Sequence, residues 1–198
     1  REAISRYQYF SMDIPSTIYN PYANNKIKKR RNIHFILIES YGNILRTHEE
    51  MDSPYEDLMT QVELLLANNK ISSMTNLSQS TTYGGSSWLA AASMQTGIKV
   101  ENQRLYKMLN NHNQVYPHFT NFLNINGYDT ISVEPGTTIK YLPKNNYNYS
   151  QIFARWDIPY SGTPYGFGGC PDQFTFNWVR SAVLPFTSDP YYIQIKTT

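Results

Sequence analysis

The chain has 198 residues, 40% of them hydrophobic and 15% aromatic, enough to bury one sizeable core without requiring a second. Its 17 basic and 15 acidic residues leave a formal charge of +2, which argues against a nucleic-acid reader or a site built around a polyanion. The single cysteine, Cys170, excludes an internal disulfide framework and a cysteine-ligated metal cluster, and no apolar run reaches the roughly 18 residues of a membrane span.

Residues 1–31 read as a connector: a polar, Tyr-rich opening that ends in the basic run "KIKKRR" at Lys26–Arg31. The cations fit a solvated linker, and they also fit a juxtamembrane position facing anionic headgroups. From Asn32 the pattern changes to "NIHFILIES", a near-continuous apolar run of strand length, as expected of a strand buried on both faces of a parallel sheet. "SPYEDLMTQVELLLANNK" follows with Leu58, Val62, Leu65 and Leu66 at helical spacing, Ser53 as N-cap and Pro54 in the first turn. "ISSMTNLS" reads as a short second strand, Ser87–Gln95 as a helix closed by Gly97, and "PHFTNFLNINGY" as a helix stopped at Gly127. "DTISVEP" is a strand, Pro135–Cys170 a long Tyr-, Asn- and Gly-rich surface excursion, "PDQFTFNWVRSAVL" a helix and "DPYYIQIKTT" a closing strand.

Alternating strands and helices predict an α/β fold with a mostly parallel central sheet flanked by helices. Ligands of such sheets sit beyond the carboxyl ends of the strands. That rule singles out Glu39, after the first strand, and the turn "STTYGGSSW", after the second. A carboxylate there is poorly solvated unless a cation or backbone amides meet it. A hydroxyl at a helix N-terminus behind two glycines either caps the helix or faces a phosphate-like group.

Together, "NIHFILIESYG" and "SQSTTYGGSSWLAAASMQTGI" resemble the opening of the sulfatase branch of the alkaline phosphatase superfamily. The likeness is to its membrane-anchored members, the lipoteichoic acid synthases and the phosphoglycerol and phosphoethanolamine transferases. It extends more loosely through "NINGYDTISVEPG" and "DPYYIQIKTT", covering Asn32 to Thr198. The resemblance implies an alkaline-phosphatase-like domain over 32–198, incomplete at its C-terminal side, with Glu39 and Ser87 as ligands of a divalent metal ion (Zn, Mn, Mg or Ca). It makes Ser87 the nucleophile, with Ser86 and Thr82 as alternatives. The implied substrates are phosphate- or sulfate-ester small molecules, lipids or glycans, and the implied location is an extracytoplasmic domain of a membrane-anchored parent.

Two departures qualify these expectations. "SWLAA" has Leu89 and Ala91 where a sulfatase maturation motif has proline and arginine, which argues against formylglycine chemistry. The Asp-His pair and further His with which the family completes its metal site have no counterpart, and His34, His48, His112 and His118 do not occupy ligand positions. The 198 residues alone are therefore expected to be inactive, to hold a cation weakly or not at all, and to leave a sheet edge that a missing C-terminal portion or self-association covers. A non-catalytic relative, using the Tyr-rich 135–170 segment as a binding surface for glycans or protein, is the alternative expectation.

Overall fold

Strand β1 (Ile33–Leu37) opens a four-stranded, all-parallel sheet completed by β2 (Asp129–Glu134), β3 (Gln151–Ala154) and β4 (Tyr191–Lys196), in the order β1-β4-β2-β3. The computed structural model describes residues 25–39, 42–111, 117–137, 147–164 and 169–198. The chain divides into two compact units, Arg1–Leu37 with Thr81–Thr198, and Ile38–Ser80.

The class is the expected α/β, with helices on the sheet, but the strand buried on both faces is β4 rather than β1. Tyr191, Tyr192, Ile193, Gln194 and Ile195 are all buried, whereas β1 is an outer strand whose Ile36 stays 44% exposed. A near-continuous apolar run cannot by itself distinguish the two positions. Strand β4 has neighbours on both sides, and among the described residues the outer strands are β1 and β3.

One face of the sheet presents Ile131, Val133, Ile193 and Ile195 to Ile158, Cys170, Val179 and Val183. Burying each of these aliphatic strand residues contributes about 1.5–3 kcal/mol. The covering helix, expected as one piece, runs as an α-helix over Asp172–Trp178, a π-helical turn over Val179–Val183 and a short 3-10 turn over Leu184–Phe186, where Pro185 has no amide proton to extend it. The opposite face carries Tyr192 against Leu123, Tyr128 and Tyr149.

Within Ile38–Ser80, helix α1 (Ile44–Thr47) precedes α2 (Glu49–Asn68). Helix α2 begins four residues before the expected Ser53 cap, because Glu49, Glu50 and Asp52 favour a helix start there and Pro54 is accommodated inside it. No described residue of this unit is fully buried. The strand expected over "ISSMTNLS" does not form: 71–80 has no regular structure, since Ile71, Met74 and Leu77 recur every third residue and give no strand face, and all three are exposed.

Helix α3 (Ser87–Thr96) is closed as expected by Gly97 at φ 70°, whose amide donates to the Ser93 carbonyl. Helix α4 (Gln103–Asn111) and strand β3 were not anticipated. Strand β3 lies inside the supposed surface excursion, and Tyr147, Tyr149, Ile158 and Tyr160 from that excursion pack into the core.

Helix α5 (Phe119–Ile125) is started by His118, whose Nδ1 accepts from the Asn121 amide at 3.1 Å. His118 is 3% exposed, and burial lowers its pKa from 6.5 to about 4. Protonation both charges a desolvated ring and removes the cap acceptor. Below pH 6.5 the unfolded chain takes up a proton that the folded chain refuses, so stability is complete above pH 6.5 and falls as the pH drops towards 4. The loss contributed by this residue reaches about 3 kcal/mol. Urea unfolding at neutral and acid pH should show this part of the loss in the native chain and not in His118→Asn, which caps without titrating. Equal pH dependence in both would refute it.

Candidate functional site

The approach to α3 is built from three consecutive residues with positive φ: Gly84 at 63°, Gly85 at 134° and Ser86 at 57°. The value at Gly85 belongs to glycine, and a left-handed serine costs on the order of 1 kcal/mol. A Cβ placed on Gly84 or Gly85 would meet nothing within 4 Å, so the backbone ahead of the helix is open to an approaching group. Ser87 is the first helical residue.

The capping explanation for these serines fails. Ser86 occupies the cap position, yet its left-handed backbone is not that of a capping residue and its side chain makes no cap hydrogen bond. Among the described residues the Ser87 hydroxyl, half-buried, also makes no hydrogen bond. Thr82 lies farther back in the irregular approach and is half-buried. Exposed Tyr83 and Trp88 flank the serines, and the Trp88 indole is fixed by donating to Gln103 Oε1 at 2.9 Å.

The body of α3 is held firmly. Ser93 Oγ donates to the Leu89 carbonyl at 2.9 Å and accepts from the Val100 amide at 2.9 Å, so the Thr81 hydroxyl, 3.1 Å away, is the donor to Ser93. This bond ties the start of the glycine turn to the helix that the turn leads into. At the far end, buried Gln95 donates to Tyr149 Oη and Gln194 Oε1 and accepts from the Thr120 amide and hydroxyl. Tyr149 and Tyr192 both donate their phenol protons to Gln194 Oε1, at 3.0 and 3.1 Å, and burial raises both phenol pKa values.

Glu39 is half-buried in the turn after β1 and belongs to the Ile38–Ser80 unit, whereas Ser86, Ser87 and Thr82 belong to the other. Carboxylate and hydroxyl oxygens are donors of the right type for Mg, Mn, Ca or Zn. Among the described residues, however, no group of three or more His, Cys, Asp and Glu side chains is placed to hold a cation.

Sequence reasoning passed over Glu134. It ends β2 as Glu39 follows β1, and it accepts from Ser132 Oγ at 3.2 Å and Thr137 Oγ1 at 2.9 Å. Asp172 similarly accepts from the Thr198 amide at 3.1 Å. Carboxylate after an apolar strand, the pattern that pointed to Glu39, was also present in "DTISVEP" and could have found Glu134. No family model, curated protein or solved structure matches the chain, so the open glycine turn and the serine behind it stand on their own geometry.

Proposed function

We propose that the chain carries the nucleophile of a metal-dependent phosphotransferase or phosphohydrolase of the alkaline phosphatase type, acting on a phosphodiester or related ester through Ser87. The observation that supports this most is a half-buried hydroxyl without a hydrogen-bond partner among the described residues, at the first position of a ten-residue helix, beside a glycine backbone with open space in front of it. The α3 N-terminus offers amide protons and the positive end of the helix dipole to the non-bridging oxygens of the ester. Ser87 Oγ attacks phosphorus, the bond to the leaving alcohol breaks, and that alcohol departs with a proton. Water or an acceptor alcohol then attacks phosphorus and returns the serine. A divalent cation, when bound, supplies the charge that eases deprotonation of the hydroxyl.

The test is chemical capture. Natively produced protein, incubated with a phosphodiester and a divalent cation and quenched with acid, should yield a phosphopeptide modified at Ser87. Phosphate on Ser86 or Thr82 instead would move the nucleophile, turnover without any phosphoserine would remove the covalent step, and an oxidised Ser87 would replace phosphoryl transfer by sulfatase chemistry.

A further inference from the structure

The basic run that precedes β1 is not detached from the fold. Ile27 packs into the cluster formed by Leu123, Tyr128, Tyr149 and Tyr192, and its amide donates to Asn126 Oδ1 at 3.0 Å. Arg30 Nη1 donates to the Asn126 carbonyl at 3.2 Å, and the Arg31 amide donates to Tyr128 Oη at 3.3 Å. Arg30 lies so close over Gly127 that a Cβ there would stand 2.8 Å from its Nη1. These contacts hold the run against the end of the sheet at which every parallel strand begins.

Fixing a row of like charges is unfavourable unless something meets them. Lys26, Lys28, Lys29, Arg30 and Arg31 are all exposed, and none of them forms an ion pair among the described residues. Among the described residues Asp129 and Asp189 are the carboxylates that begin or immediately precede a strand at this end, the latter accepting from Asn32 Nδ2 at 2.9 Å, fewer than the five cations of the run. The same end carries two large apolar side chains left in water. Ile125, next to Asn126, is 77% exposed, and Phe186, in the turn that leads to β4, is 84% exposed.

We propose that Lys26–Arg31, with Ile125 and Phe186, forms a docking surface for an anionic lipid bilayer. Headgroup charge attracts the cations, and the two apolar side chains enter the boundary between headgroups and acyl chains. A nucleic acid would meet the cations equally well but gives exposed aliphatic Ile125 no matching environment. This inference is independent of the chemistry assigned to Ser87.

Flotation of the full chain with phosphatidylcholine vesicles, with and without phosphatidylglycerol, tests it. Binding should require phosphatidylglycerol and weaken as salt rises. Replacing Lys28, Lys29 and Arg31 together by Gln should lower the partition coefficient roughly 100-fold. Ile125→Ser with Phe186→Ser should lower it several-fold while leaving the thermal melt unchanged. Retained binding in the triple variant, or a DNA duplex bound in preference to the vesicles and indifferent to the Ile125 and Phe186 changes, would overturn the proposal.

Discussion

Ser87→Ala in natively produced protein is expected to reduce phosphodiester turnover by a factor on the order of 10⁴ or more, the scale on which covalent catalysis fails without its nucleophile. The methyl group of alanine fits where the hydroxyl stood, because that hydroxyl makes no hydrogen bond among the described residues. Stability should therefore be unchanged or slightly raised, alanine being the better helix former. Ser86→Gly separates the neighbouring serine from this role. At φ 57° glycine relieves a strained backbone, so the fold is kept, and activity should survive apart from the effect of a more flexible turn. Full activity in Ser87→Ala, with loss in a Ser86 or Thr82 variant, would transfer the role to that residue.

The second large effect is on stability. Gln95→Leu should cost about 3–5 kcal/mol, a large part of the 5–15 kcal/mol that holds a typical domain together. Gln95 is 2% exposed, and its Oε1 satisfies the Thr120 amide at 3.3 Å and the Thr120 hydroxyl at 2.8 Å. The Thr120 amide belongs to the first turn of α5, where no partner exists within the helix. One side chain of α3 therefore completes the N-terminus of α5 that His118 begins. Leucine would leave the buried Thr120 amide without a partner, would leave the Thr120 hydroxyl with Tyr149 alone, and would withdraw a donor from Tyr149 and Gln194. Urea unfolding measures the loss, and a double-mutant cycle with Tyr149→Phe should show strong coupling. A loss below about 1 kcal/mol would mean that water replaces these bonds.

Strands β1, β2 and β4 and helices α3 and α5 were legible because each is written twice in the sequence, once as an apolar period and once as a terminating residue such as Gly97 or Gly127. Strand β3 was not, since four residues, "QIFA", are stabilised by pairing with β2 rather than by any pattern of their own. Helix α4 had Leu105, Tyr106 and Leu109 on one face, but asparagines on either side of a short segment hid its ends. Ser87 is singled out in the sequence by the glycines that precede it and by the count back from Thr96–Gly97 that the resemblance implies. The support behind it was invisible, because Gln95, Thr120 and Gln194 are polar residues that a pattern of hydrophobic and polar positions assigns to solvent. Their burial follows from mutual hydrogen bonding across long separations, Gln95 and Gln194 lying 99 residues apart.

The place of β4 between β1 and β2 also fixes an order of events in folding. Neither half of the sheet can meet the other until residues 191–196 have left the ribosome, because among the described residues β1 pairs only with β4. His34 and Tyr191, hydrogen bonded at 2.9 Å, are 157 residues apart. Contacts of such separation make the search for the native state slow, and through all of it "IHFIL" is an apolar strand with open edges on both sides. Newly made chain is thus most prone to aggregate after β1 has emerged and before β4 has, and a holding chaperone that recognises short apolar strands would find its target there.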